Sequence, residues 1–363
     1  MIYDFLVIGA GLSGSVFAER AASSRFKVLV IDKRTHIAGN AYDYQLNNNF
    51  VHTYGPHYFR TNSQDIYNYL SFFTEWIDAK YEILSYVNNS YWPFPINLNT
   101  FEKLIGKNST EKDMLEWMKS NNLGIEHPKN SKELIISKAG KIFYEMFFEN
   151  YTKKQWKVDA SELSTSVCGR IPIRTDRNNL YFNDIIQKMP KYGYSYMVNN
   201  MLDHKNITIA LGTEYKSIVK TIKYKKLIFT GPIDEYFEYC LGKLPYRSLR
   251  FEIETKQQNF YQPAVQINYP NDFDYTRIVE IKHLMGGGDG TVISKEYPEE
   301  YLNTQEPFYP IPTEENKNLY NQYLNLAKKE NNTIFLGRLG TYSYLNMDQV
   351  VAGAIKRAKL CLM

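Results

Sequence analysis

Residues 3–8, YDFLVI, form a short unbroken apolar run that ends at glycine, the pattern of a strand buried on both faces. GAGLSG follows, then a helical stretch to about Ser24, and KVLVIDKR repeats the buried-strand pattern and ends in acid. The chain therefore opens on a predicted β-α-β unit. A helix is expected near 65–73. From Asn99 to Asn150 apolar positions recur at i, i+3 and i+4, among them Met114, Leu115, Met118, Ile142, Phe143, Met146 and Phe147, and predict a mainly helical block. Beyond Leu180 short strands take over: NITIALG, KLIFTG, RSLRFEIE and AVQINY. MGGGDGT reads as a turn whose glycines could cradle a phosphate, although no helix start follows it. NTIFLGRLG is a last buried strand. NMDQVVAGAIKRAKLC then predicts a helix with Val350, Val351, Ala354, Ile355 and Ala358 on one face.

This order predicts an α/β protein: a Rossmann-like nucleotide-binding domain assembled from both chain ends, with an inserted helical domain and an antiparallel β-sheet domain. The expected boundaries are 1–75, 200–240 and 315–363 for the first, 76–160 for the second, and 161–199 with 241–314 for the third. A chain of 363 residues with 44% hydrophobic and 23% charged residues is ordinary for a globular protein of about two domains. The net charge of +4 is small and scattered, which gives no case for nucleic acid. Cys168, Cys240 and Cys361 stand far apart and the six histidines form no ligand pattern, so no metal is assigned and a reducing compartment is expected. The N-terminus reads neither as a signal peptide nor as a membrane span, and no other apolar run approaches spanning length; a cytoplasmic protein is expected.

Gly9, Gly11 and Gly14 form G-x-G-x-x-G between a strand and a helix, with Asp32 closing the second strand. The glycines let backbone approach a pyrophosphate, the helix N-terminus supplies N–H donors, and the acid accepts from ribose hydroxyls. DKRTHIAGN, with Lys33 after the acid and Asn40 further on, looks like the extended signature of FAD proteins. The closing strand and helix fit a flavin site whose helix N-terminus faces the ring. In YTKKQW, Tyr151 and Trp156 follow the helical face that holds Phe147; they suit either core packing or a stacked nucleobase. YGPHYFRTN sets His57 and Arg60 among three aromatic rings.

Taken together, GAGLSG, VIDKRTHIAGN, YGPHYFRTN, YTKKQW, GRIPIR, NNLYF, FTGPIDEYF, LPYRSLRFE, YTRIVE, SKEYP, EPFYPIP and GRLGTYSYLNMDQV resemble the UDP-galactopyranose mutase family over nearly the whole chain. The resemblance implies that Phe147, Tyr151, Thr152 and Trp156 hold the uridine. It implies that Arg170, on a mobile loop near 165–180, and Arg277 bind the pyrophosphate with Tyr309 and Tyr344. Tyr181 and Phe182 would close over the nucleotide, with Arg247 near the site. Gly9, Gly11, Ser13, Gly14, Asp32, Lys33, Asn40, His57, Gly337, Arg338, Met347, Asp348 and Gln349 would hold FAD. The implied chemistry is attack of reduced flavin N5 on sugar C1, giving a covalent flavin–sugar adduct that recloses through another hydroxyl, with no net redox change. NAD(P)H or another reductant and a homodimer are implied as partners. The chain departs from the family pattern at Pro56, at Arg60 for a histidine, at Asn346 for an acid and at Tyr81 for an asparagine. These changes alter hydrogen-bonding types where the sugar should lie, with Arg60 adding a permanent charge beside the flavin. The expected substrate is UDP-galactopyranose or a modified relative, UDP-linked or on dTDP, with plain UDP-galactopyranose the poorer of the two. Two other readings are an FAD-dependent oxidoreductase of the amine-oxidase type and a non-catalytic nucleotide-sugar-binding module.

Overall fold

In the computed structural model the described residues are 2–302 and 306–362. The continuous apolar runs become a five-stranded, all-parallel sheet in the order Ile207–Ala210, Val28–Ile31, Ile2–Ile8, Lys223–Phe229, Thr333–Phe335. It draws its strands from the start, middle and end of the chain. The helix Leu12–Ser23 packs on the closing helix Met347–Leu362. Ala18 and Ala21 of the first and Ala354 and Ala358 of the second are buried in the core the two helices share.

A seven-stranded sheet runs in the order Tyr309–Pro310, Tyr246–Lys256, Thr291–Glu300, Arg277–Val279, Gln266–Asn268, Ile83–Val87, Ser90–Phe94. It is antiparallel except where Gln266–Asn268 joins Ile83–Val87. Residues 76–94, grouped in sequence with the helical block, are strands instead. Asn88 and Asn89, with φ of 51° and 55°, turn a hairpin that docks on this sheet. Helices from Leu98 to Trp156 then pack Phe101, Met114, Met118, Phe143 and Phe147 into one core. Leu115 and Ile142, counted on that face in sequence, point to solvent. The helix expected near 65–73 is Gln64–Ser71, capped by the Ser63 hydroxyl, which accepts from the Ile66 N–H. A three-stranded sheet pairs Ile186–Pro190 with Phe59–Thr61 and with Trp76–Asp78.

MGGGDGT is no phosphate cradle. A Cβ on Gly287 would lie 2.1 Å from Asn49 Oδ1 and one on Gly288 would lie 2.6 Å from the Asn47 carbonyl, so these glycines let the loop pack on the Asn47–Asn49 turn. The Lys282 ammonium donates to the carbonyls of Gly288 and Gly290. No helix among the described residues is long and apolar enough to cross a membrane.

Candidate active site

The carboxyl ends of the parallel strands open onto a groove, where the rule for open α/β sheets places a ligand. Gly9, Gly11, Ser13, Asp32, Lys33, Asn40, His57, Gly337, Arg338 and Met347 line it. Gly9 has φ of +103°, and a Cβ there would sit 2.1 Å from Thr230 Oγ1. Gly14 is not among the lining residues: a Cβ on it would fall 2.0 Å from the Gly9 carbonyl, so it permits helix and strand to touch. Gly11 stands at the N-cap of Leu12–Ser23 with no side-chain cap, which leaves that turn's N–H groups to other acceptors. Asp32 accepts from the Ala10 N–H at 2.8 Å and the Arg34 N–H at 2.9 Å, fixing the glycine turn while it lines the groove.

Asp348 and Gln349 act at the start of the closing helix: Asp348 Oδ1 accepts from the Gln349 N–H, and Gln349 Oε1 from the Asn346 N–H. Sequence reasoning missed Arg34, whose guanidinium donates to Asn40 Oδ1 at 2.9 Å and Glu306 Oε2 at 2.8 Å and covers the Tyr54 ring. It also missed Thr213–Lys216, which follow a strand of the parallel sheet, so the topological rule was the signal available.

His57 Nδ1 lies 3.0 Å from the Gly55 carbonyl, which can only accept, so this nitrogen carries the proton and Nε2 is bare. The His57 N–H donates to His52 Nδ1 at 3.1 Å. Burial pushes both imidazoles down to about 3, and for His57 the neighbouring His52 adds to the effect. Each folded-state value lies below the unfolded 6.5, so the stability carried by neutrality is whole above pH 6.5 and is lost as pH falls toward 3. Stability measured by denaturant should drop below pH 6.5 by up to about 1.4 kcal/mol per pH unit for each histidine. Asp43 and Asp234, pushed up by burial, act in the opposite sense. The test is therefore the difference between wild type and His57→Asn between pH 7.5 and about 5. A variant that loses stability as steeply as wild type would contradict a neutral His57.

Beyond the groove lies a second cluster. Tyr344 stacks on Tyr309 at 5.3 Å and 26°, with Arg170 at 4.4 Å and Arg338 at 4.9 Å from its ring centre. Burial pushes the Tyr344 phenol up, but Arg170, Arg338 and Arg277 outweigh it and hold the group below its ordinary value. The Trp156 ring is 6.2 Å from Tyr309. Arg247, paired with Tyr309 across the sheet, is 2% exposed; its Nε donates to the Gln155 carbonyl, and its Nη2 has no partner. Arg277 turns both Nε and Nη2 onto Glu296 Oε2, at 2.9 and 2.6 Å. Glu296, the buried partner of this pair, gave no signal in sequence. Tyr151 faces the same charges, and burial pushes its phenol up to about 12.

Tyr181 and Phe182 form one wall, 4.7 Å apart, with Tyr58 and Tyr81 against Phe182. Arg60 meets a carboxylate: Nη1 lies 2.6 Å from Asp184 Oδ2, and the guanidinium covers the Phe182 ring at 4.2 Å. The permanent charge expected beside the cofactor is thus neutralised within the protein. Tyr81 is fully buried and offers the site no hydroxyl, because its O–H is committed to the carbonyls of Lys188 and Phe59. Phe147 sits in the helical core among Trp92, Phe94 and Phe143. Thr152 is buried beside Cys168 Sγ.

A family model described as UDP-galactopyranose mutase matches residues 146–344, and one for an NAD(P)-binding Rossmann-like domain matches residues 7–73. The chain is 36% identical to a probable UDP-galactopyranose mutase of Klebsiella pneumoniae, over 98% of this chain and 94% of that one. It is 32% identical to a dTDP-fucopyranose mutase of Escherichia coli, over 98% and 97%. A crystal structure of reduced UDP-galactopyranose mutase superposes with a TM-score of 0.78 at 16% identity, covering 99% of this chain and 95% of that one.

Proposed function

Because the chain belongs to the UDP-galactopyranose mutase family, we propose that it interconverts pyranose and furanose forms of a nucleotide-linked hexose, with reduced FAD as cofactor. The observation that carries this reading is the charge balance around Tyr344. Arg170 and Arg338 flank its ring, and neither pairs with a carboxylate among the described residues. A pyrophosphate supplies the missing counter-charge through charge-assisted hydrogen bonds. An amine or apolar substrate would leave these two guanidinium groups without a counter-charge, which weighs against an oxidoreductase of the amine-oxidase type.

The groove's residues fit FAD. The cradle at Gly9 and Gly337 has no room for a side chain, since a Cβ on Gly337 would lie 2.6 Å from Ser13 Oγ. Gly11 and the uncapped helix start would hold its pyrophosphate, Asp32 its ribose, and His57 with Met347 its ring end. Bound and reduced by NAD(P)H or another donor, the flavin would supply an electron-rich nucleophile toward sugar C1, the carbon that the nucleotide's pyrophosphate would leave and later rejoin.

The protein's part is binding and orientation. Trp156 and Tyr151 hold the nucleoside, and Arg170, Arg277 and Arg338 hold the departing pyrophosphate for its return. Tyr58 and Phe182 exclude water. Neutral His57 offers Nε2 as an acceptor without adding a cation.

Arg60 and Asn346 bear on the sugar. With its charge on Asp184, Arg60 acts by setting the Phe182 ring. The amide of Asn346 in place of an acid leaves one hydrogen-bond mismatch toward galactose, which in a closed site costs about 1–3 kcal/mol, so a modified hexose should exceed UDP-galactose in kcat/KM by roughly tenfold. The comparison takes UDP-galactose, UDP-N-acetylgalactosamine and a dTDP-6-deoxyhexose, with wild type and Arg60→His. A wild type that prefers UDP-galactose, with a preference unmoved by the substitution, would contradict this.

A further inference from the structure

The lysine of YTKKQW that touches neither ring cluster has an environment of its own. The Lys154 ammonium donates to three backbone carbonyls, of Tyr269, Phe273 and Tyr275. An ammonium has three donors, and all three are committed to one loop. That loop, residues 269–276, joins the strands Gln266–Asn268 and Arg277–Val279, whose register pairs Asn268 with Arg277. It is closed at its base by the Tyr269 N–H on the Thr276 carbonyl at 2.8 Å. A second tie comes from Asn150 Nδ2, which donates to Asn271 Oδ1 at 3.0 Å. The helix that sends out Lys154, Asn150–Trp156, also carries Tyr151 and Trp156, and it follows a π-helical turn over Glu145–Glu149.

We propose that Lys154 is a positioning residue: by gathering the three loop carbonyls it fixes Arg277, which the loop delivers, at a set distance from the helix that holds the nucleoside. The inference rests on the nucleotide-sugar reading above for the roles of Arg277, Tyr151 and Trp156. Three carbonyls turned toward one point repel one another unless a cation lies between them, so without Lys154 the loop opens and the strand end that bears Arg277 loosens. Lys154 touches neither reacting atom nor phosphate, so its loss acts on binding more than on turnover.

The group is also poised to report on itself. Burial pushes the ammonium down to about 8, against the opposing pull of Asp274 and Asp272 on the loop. The other titratable groups facing it, Tyr269 and Tyr275, are pushed up by burial and stay neutral in this range. Lys153, its neighbour on the helix, is exposed. Above pH 8 the amine therefore keeps two donors for three carbonyls, and affinity for the nucleotide should fall.

The experiment uses full-length Lys154→Met, which keeps the stem and removes the charge, and Lys154→Arg, which keeps it. Amide exchange over 269–277 without substrate should quicken at least tenfold in Lys154→Met and recover in Lys154→Arg. KM for UDP-galactose and Kd for UDP should rise about tenfold in Lys154→Met, with kcat within about threefold. In wild type, Kd for UDP should rise between pH 7 and 9, and in Lys154→Arg it should stay flat, which separates Lys154 from Tyr344. Unchanged exchange in Lys154→Met, or a wild-type pH profile shared by Lys154→Arg, would overturn the proposal. Should Lys154→Met not fold, the pH comparison decides alone. A wild type that binds no UDP would overturn the nucleotide-sugar reading, and the exchange measurement would still judge the lysine.

Discussion

Gly14→Ala should purify with less than about a tenth of the wild-type complement of cofactor and with activity reduced in proportion. The new Cβ would lie 2.0 Å from the Gly9 carbonyl and 3.0 Å from Val7 Cγ1. The first obstacle is backbone, so the helix Leu12–Ser23 must move off the strand Ile2–Ile8. The groove's floor, Gly9 and Gly11, moves with it. Overpacking of this kind costs about 1–3 kcal/mol, or several degrees in melting temperature for a chain this long. Gly353→Ala is the control. It lies on the closing helix with nothing within 4 Å of its Cβ. There the exchange should stabilise by up to about 1 kcal/mol through helix propensity and leave the cofactor in place. Cofactor content read by absorbance, beside thermal melting of both variants, checks the pair. Full occupancy in Gly14→Ala would show that the close contact does not shape the groove.

Arg277→Ala should lower kcat/KM by at least about a hundredfold while cofactor content stays at the wild-type level. Losing a charge-assisted phosphate contact accounts for roughly 1.5–3 kcal/mol, ten- to a hundredfold. The remainder comes from Glu296, whose side chain is 2% exposed and whose Oε2 takes both Arg277 bonds. Without the guanidinium, that carboxylate is buried, unpaired and set against a pyrophosphate of the same sign. The double variant Arg277→Ala/Glu296→Gln should therefore recover part of the loss, about tenfold. A double variant no better than the single one would mean that the pair does not act as a unit.

Much of this was legible because it is written locally. The β-α-β unit and the glycine turn are short-range patterns, and the Gly9, Gly11 and Asp32 read from them line the groove. What escaped reading is long-range pairing. Nothing near Arg60 announces Asp184, 124 positions later, and nothing near Arg277 marks Glu296 as its buried partner. Tyr81 reads as a hydroxyl, yet folding commits that hydroxyl to the carbonyls of Phe59 and Lys188. Periodicity set Leu115 and Ile142 on a buried face because it cannot fix the width of the apolar stripe on a helix covered on one side. The hairpin at Asn88–Asn89 was missed, although Asn-Asn was itself the turn signal.

On the reading proposed above, the convergent arginines and the dinucleotide groove serve one reaction, isomerisation of a nucleotide sugar on a reduced flavin. The most direct measurement incubates purified protein with UDP-galactopyranose, UDP-N-acetylgalactosamine and a dTDP-6-deoxyhexose, each with and without dithionite, and resolves the nucleotide sugars by chromatography. A furanose product is expected from at least one of them under dithionite and none with the oxidised cofactor. Equal turnover without reduction, or no furanose from any of the three with fully reduced flavin present, would contradict it.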